Sequence, residues 1–342
     1  MSSRLKQFLR TLIGFAVAGF FLVLAFRGTN FRDLWESFRN VNYGWVLLLI
    51  PIALLSHWIR AVRWAYLLAP VKAKTSRRNL FSAVMIGYLV NNALPRVGEF
   101  VRPYVLGRLE GISRSSAFGT VVIERIIDFL TFYFIVSVVL FLYPSSLSPF
   151  FDDVNVVRPI LLVSSILCCL LFVFLFFKVG SVVLFASKLK ILIPKKHHQE
   201  LDRILHSFLS GFGVARMKKT FVNIAFLSLL MQGLYALGLF VPFYAFDSIA
   251  ALHLDFGASV VLLAISSIAF VLPAPGGLGT YHSFLTFSMV KMHGIETTTA
   301  LSYSIITHEV GYILVTVVGL YYFVKDHVRA ADMKPMTMEQ GT

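Results

Sequence analysis

Six apolar runs, near residues 8–26, 43–69, 116–142, 157–177, 219–245 and 298–324, dominate this chain. Each approaches or exceeds the ~20 residues that a helix needs to cross ~30 Å of hydrocarbon. Of the 342 residues, 57% are hydrophobic and 14% charged. A soluble chain so composed would expose more apolar surface than water tolerates, so an integral membrane protein is expected. The first run follows Arg4, Lys6 and Arg10, as a signal peptide would. No small-x-small cleavage site follows and LAFRGTN reads on, which favours a retained anchor. Basic loops facing anionic lipid account for the net charge of +14 better than nucleic acid does. Cys168 and Cys169 are adjacent, and helix neighbours point apart, which argues against a disulfide, metal or redox site.

Charge sets the expected topology. The loop 70–79 carries Lys72, Lys74, Arg77 and Arg78, and 178–219 is the most basic segment of the chain. The segments 144–156 and 247–256 hold acids and no Lys or Arg. Basic loops belong on the cytoplasmic side, although 27–42, with Arg27, Arg32 and Arg39, objects. Two further apolar stretches, 79–107 and 258–292, are interrupted in the middle. If each enters and returns to its own side, every strong charge signal is satisfied. The expectation is an all-α polytopic membrane protein with six full spans, two re-entrant broken-helix hairpins and both termini cytoplasmic.

GISRSSAFGTVVIERIIDFL (111–130) and GIETTTALSYSIITHEVGYIL (294–314) align at an offset of 183, which places Gly111 on Gly294 and Arg125 on His308. Each follows a broken hairpin containing Leu-Pro, and farther upstream lie the amphipathic stretches FRDLWESF and LDRILHSF. The chain therefore divides into repeats over 1–143 and 144–329, with a polar tail at 330–342. The expected topology makes the repeats inverted, an architecture of transporters.

Ionisable side chains at membrane depth are rare and face a cavity or a partner. Here Arg60 and Arg63 lie on the second span, Asn91, Asn92, Arg96, Glu99 and Arg102 in NNALPRVGEFVR, and Glu124, Arg125 and Asp128 on the next helix. The second half supplies His282, His308 and Glu309. Arg60 and Arg63 share a helix face, as do Glu124 and Asp128, and Arg96, Glu99 and Arg102 would if VGEFVR is helical. Guanidinium groups in excess of carboxylates suit an anionic group, phosphate above all. The bland readings are that Arg60 and Arg63 snorkel to headgroups and that Glu124 and Asp128 join a structural ion-pair network. In PAPGGLGTYH, Gly276, Gly277 and Gly279 let the backbone turn and approach a ligand, and a helix restarting near Thr280 would aim its free N–H groups at an anion.

NNALPRVGEFVR and the ERIID helix resemble the lysylphosphatidylglycerol synthase transmembrane, or flippase-like, family. Asn92, Leu94, Pro95, Arg96, Gly98, Glu99, Arg102, Glu124, Arg125 and Asp128 match its pattern, as do Arg60, Arg63 and Trp64 upstream. Pro275, Gly276, Gly277 and Gly279 match its PGG-x-G turn. The resemblance implies a bacterial inner-membrane protein similar to proteins that move aminoacylated phosphatidylglycerol between leaflets. It also implies partners among membrane lipids and a separately encoded synthase or glycosyltransferase. With KPMTMEQGT following the last run, a synthase domain of its own is not expected, and TYH and His308-Glu309 stand where relatives often differ.

The function expected is therefore lipid translocation rather than catalysis, with no cofactor or metal, no nucleic-acid partner, and a homo-oligomer left open. The anion would lie on Arg96 and Arg102, joined by Arg60, Arg63 and Arg125, while Asn91 and Asn92 hold the turn. The rivals are an intramembrane enzyme on lipid phosphates, using His282 or His308 with Glu124, and a lipid-binding scaffold. The two histidines also leave proton coupling open.

Overall fold

The computed structural model describes residues 3–143, 153–177 and 218–326. Nearly all of the basic segment 178–219, most of the acidic loop 144–156 and the tail 330–342 lie outside them. All regular structure among the described residues is helical. Helix α1 (Ser3–Phe26) turns by 83° into α2 (Phe31–Arg39). Asn30 caps α2 by accepting a hydrogen bond from Arg32 N at 3.0 Å. There follow α3 (Tyr43–Leu47), α4 (Leu49–Leu68), α5 (Arg77–Ala93), α6 (Gly98–Glu110), α7 (Arg114–Leu142) and α8 (Val154–Phe177). After residue 217 come α9 (Lys218–Phe240), α10 (Asp247–Ala250), α11 (Phe256–Ala269), α12 (Thr280–His293) and α13 (Thr297–Lys325).

Five segments are long and apolar enough to cross a membrane: Tyr43–Leu68, Arg114–Leu142, Val154–Leu171, Thr220–Ala245 and Thr297–Lys325. Counted as one span, the bent pair α1–α2 would bring the number among the described residues to six. Their outward faces are large and apolar, with Leu170, Phe226, Val317 and Val324 all exposed. Only hydrocarbon makes such a surface stable, so this is a multi-pass membrane protein. Inside, one core gathers Trp64, Leu67, Leu80, Met85, Leu106 and Ile123, and a second gathers Phe243, Leu262, Leu285, Met289 and Tyr303.

The interrupted stretches form two helical hairpins. The arms α5 and α6, of 17 and 13 residues, reach only about 25 and 20 Å at 1.5 Å per residue. The 14-residue arms α11 and α12 reach about 21 Å each, so no single arm traverses ~30 Å of hydrocarbon. Pro95 explains the first break, because a residue before proline is driven out of the helical region, and Leu94 is extended at φ −132°, ψ 109°. The arms then pack without a gap: a Cβ on Gly98 would lie 1.8 Å from the Gly87 carbonyl oxygen. At the hairpin's base, Glu110 accepts hydrogen bonds from Lys72 Nζ at 2.7 Å and Asn79 Nδ2 at 2.7 Å, tying the 70–76 loop down.

Helix α13 relates the two hairpins. Near its first turn lies the base of α12, joined to it through Glu296. At mid-length it meets both tips: Asn92 Nδ2 donates to Thr316 Oγ1 at 3.0 Å, and His308 Nε2 lies 2.9 Å from the Gly276 carbonyl oxygen. Just past its last turn, Asp326 accepts a hydrogen bond from Ser82, near the start of α5. The hairpins thus approach from opposite ends of α13, and their tips meet beside its middle. Arg96 Nη2 closes the junction by donating to Val271 O at 2.7 Å.

The offset of 183 recurs in the coordinates. Added to Arg114–Leu142 it yields the bounds of α13, Thr297–Lys325, and both helices have 29 residues. Gly111 and Gly294 end the preceding helices in the same left-handed conformation, at φ 65° and 64°. Arg96 and Gly279, also 183 apart, are both left-handed, at φ 64° and 76°. Glu99 touches Arg125 in the first half, and His282 touches His308 in the second. The first arms do not follow this register, since α11 begins at Phe256 and ends at Ala269.

A Gly98→Ala substitution forces the α5 and α6 backbones apart. It is expected to cost about 3 kcal/mol or more, above the usual overpacking range because backbone rather than a side chain must give. Thermal unfolding in detergent against wild type measures it.

Candidate functional site

Four helices converge on one buried carboxylate. Glu124 Oε1 of α7 lies 2.5 Å from Arg60 Nη1, 3.0 Å from Arg102 Nη1 and 3.3 Å from Arg63 Nη2. Its Oε2 meets Arg102 Nη2 at 2.9 Å, so Arg102 grips it with both prongs of its fork. Asp128, one turn on, takes Arg60 Nη1 at 2.9 Å and Arg63 Nη2 at 2.5 Å. Two further donors are met by α9, where Tyr235 OH accepts from Arg60 at 2.9 Å and Ser228 Oγ from Arg63 at 2.8 Å, while the Nε atoms of Arg60, Arg63 and Arg102 have no hydrogen-bond partner among the described residues. Arg102 also lies over the Trp64 ring at 3.8 Å, and Trp64 is fixed by donating to Thr120 Oγ1 at 2.8 Å.

This placement settles how Arg60 and Arg63 are used. They do not snorkel to headgroups: Arg60 is 4% exposed and Arg63 0%. With Arg102 they are spent on Glu124 and Asp128, which form the centre of a buried ion-pair network. The rim differs. Arg125 Nε lies 3.2 Å from Glu99 Oε1 and 37% of the Arg125 side chain is exposed. Four guanidinium groups against Glu99, Glu124 and Asp128 leave one net positive charge. The cleft between α5, α6 and α7, bounded by Tyr88, Asn91, Glu99, Arg102 and Arg125, holds about 10 Å³, space for roughly one water molecule.

The tip residues separate. Asn91 Oδ1 accepts from Gly98 N at 2.7 Å and so holds the turn, as expected. Asn92 instead reaches away to Tyr312 O and Thr316 Oγ1 of α13. Arg96 is not on one helix face with Glu99 and Arg102, because α6 starts only at Gly98. It is exposed in the turn, left-handed, and among the described residues bonds only the Val271 carbonyl. The helix after PAPGGLG does restart at Thr280.

In the second half, His282, His308 and Glu309 place three donor atoms within 4.8 Å of one another. The hydrogen bonds fit a metal poorly. Gly279 N donates to His282 Nδ1 at 3.3 Å, which puts the ring proton on Nε2, the atom that faces the cluster. His308 presents Nδ1 to Glu309 Oε1 at 3.0 Å.

Residues 11–319, which contain all of these groups, match the family model for the lysylphosphatidylglycerol synthase TM region. The chain belongs to that family. Lysylphosphatidylglycerol synthase TM region proteins form a lipid-related group of membrane proteins, and this chain is similar to two archaeal relatives. The UPF0104 membrane protein MJ1595 of Methanocaldococcus jannaschii is 34% identical over 98 residues, 28% of this chain and 29% of that protein. A UPF0104 membrane protein of Methanothermobacter thermautotrophicus is 28% identical over 106 residues, 30% of this chain and 31% of that one. The chain thus matches less than a third of the length of either curated relative. No solved structure matches.

Sequence reasoning missed Tyr235 and Ser228. A signal existed: Ser228, Gln232 and Tyr235 fall on one face of an otherwise apolar helix. Glu124→Gln removes the charge that three buried guanidinium groups share, and breaking a buried pair costs about 3–5 kcal/mol. Arg125→Gln, on the open rim, is expected to cost under about 1 kcal/mol. Comparing the two unfolding midpoints tests that hierarchy.

Proposed function

We propose that this protein is a lipid translocase, in which an anionic headgroup is received where the two hairpin tips meet while the tails stay in hydrocarbon. The observation that carries the reading is Arg96. A left-handed backbone costs a non-glycine residue roughly 1–3 kcal/mol. The position at the same offset in the second half is Gly279, which bears that conformation freely. An arginine kept there is kept for its guanidinium, and this one has no carboxylate partner among the described residues. Phosphate suits it as a bidentate ligand. Arg125, part-exposed and paired with Glu99 on the second arm of the same hairpin, belongs to a group of four guanidinium and three carboxylate groups with one net positive charge, while the buried network fixes α4, α6, α7 and α9.

The short arms and their meeting tips support two re-entrant hairpins, and the shared offset supports an inverted repeat that rocks to alternate access. The cleft of about 10 Å³ is then the closed state, opened when the α5–α6 arms part. Orientation follows from the ends of the molecule. Asp33, Glu36, Asp247 and Glu296 line one groove of about 660 Å³, whereas Lys72 and Arg77 lie at the start of the opposite hairpin. The positive-inside rule puts the Lys72 end in the cytoplasm, and with it the chain termini. The membrane is the cytoplasmic membrane of a bacterium, and the partners are its anionic or aminoacylated phospholipids, polyprenyl phosphates, and a separate synthase or glycosyltransferase.

Purified protein in liposomes, with labelled phosphatidylglycerol, its lysyl ester and a polyprenyl phosphate, tests this through leaflet exchange. Selective exchange of one class is expected from wild type. Arg96→Gly is expected to unfold at a higher temperature, since about 1 kcal/mol of backbone strain is relieved, yet to lose exchange. A variant that is more stable and equally active would sink the reading.

A further inference from the structure

The His308–Glu309 contact cannot be made without an extra proton. His308 Nε2 faces the Gly276 carbonyl oxygen at 2.9 Å, which only accepts, so Nε2 carries hydrogen. His308 Nδ1 faces Glu309 Oε1 at 3.0 Å. With Nε2 protonated, a neutral imidazole would turn a bare lone pair on Nδ1 toward a carboxylate. Either His308 is an imidazolium or Glu309 is a carboxylic acid, and both descriptions contain one shared proton. His282 completes the arrangement: its protonated Nε2 points at the same Oε1 from 3.7 Å. His282 and His308 are buried, while 34% of the Glu309 side chain is exposed, so Glu309 is the member of the cluster that opens onto its surroundings.

Among the described residues, the charged and titratable groups around the cluster are few. From α12 the cluster meets Tyr281, whose hydroxyl donates to Thr307 Oγ1, and along α13 it meets Tyr312, stacked on His308 with centroids 5.7 Å apart. Neither α1 from Leu12 onward nor α11 contains a titratable residue. The first hairpin contributes Asn92 on Tyr312 and the cation Arg96, held on the 271–276 tip that also bonds His308. Farther off along α13, Asp33 and Glu36 of α2 lie in the groove at its first turn, and His57 of α4 stacks on Tyr88.

We propose that His308 and Glu309 form a proton-binding site, with His282 as its exchange partner, and that one proton travels with each anionic headgroup. Loss of the proton leaves a second negative charge beside the tip where Arg96 would hold the headgroup. Anion and bare carboxylate then repel, whereas anion and proton favour each other's binding, which is symport in its thermodynamic form. The same loss sets Nδ1 against Glu309 and loosens the Gly276 tip from α13, coupling the proton to the hairpin's movement. The coupling rests on the translocase reading; the proton site does not.

Two measurements on the full chain separate them. In nanodiscs, ¹⁵N-histidine NMR with infrared detection of the Glu309 carboxyl is expected to show one proton shared by His308 and Glu309 and its release as pH is raised. Glu309→Gln, whose amide N–H still donates to Nδ1, is expected to abolish that release. In liposomes, a pH gradient of about one unit is expected to drive an anionic-lipid asymmetry of up to tenfold, the ratio that one coupled proton supplies. Glu309→Gln is expected to bring the ratio of exchange with and without the gradient to one. A neutral His308 beside an ionised Glu309 throughout overturns the site. Wild-type exchange that ignores the gradient overturns the coupling and leaves the translocase standing. Proton release without exchange of any lipid leaves the site standing and removes the translocase.

Discussion

The first half of this protein is organised around a single carboxylate, Glu124, that sits among three arginines from two other helices. In hydrocarbon a lone ion is prohibitively costly, so each member of the group requires the others. That mutual requirement reaches outward. It fixes the rotation of α4 about its axis, because Arg60 and Arg63 must both face α7. It pulls α6 close through Arg102 and draws α9 in through Tyr235 and Ser228. Apolar packing between helices in lipid is weakly directional, since tails and side chains are alike in polarity. A buried ion network supplies the register that such packing lacks.

The second half solves the same positional problem with almost no charge. Where the first half has Glu99 against Arg125, it has His282 against His308. Glycines at its tip allow the backbone to press on Tyr312 and on α1, so close contact replaces electrostatics there. The two halves share the bounds of their last long helix and the cap conformation before it, yet differ in the side chains that hold their hairpins.

Much of this was legible in the sequence, for identifiable reasons. The long spans announce themselves because lipid demands continuous apolar runs. The breaks were visible at Leu94-Pro95 and at Pro273–Gly279, since proline and glycine act locally. The offset of 183 was readable from Gly111 and Gly294, whose left-handed caps are a local need of each helix end. The site was half legible. That Glu124 and Asp128 share a face follows from spacing, but that they consume Arg60, Arg63 and Arg102 depends on how helices rotate together, which spacing does not encode. Arg96 illustrates the limit: placed just before VGEFVR and spaced three from Glu99, it read as sharing that helix's face, and only the turn closed by Asn91 takes it out of the helix.

The pairing of Arg96 with Gly279 has a consequence for direction. A frame made of two like halves, inserted head to tail, would present the same face to either side of the membrane and work equally well both ways. Here one of the two equivalent tips bears a fixed positive charge and the other bears none, so the molecule has a chemical polarity that its scaffold lacks. On the translocase reading proposed above, an anion leaving by the charged tip and one leaving by the bare tip would meet unequal barriers. On that reading the preferred direction could be set by editing one turn, without altering a single span.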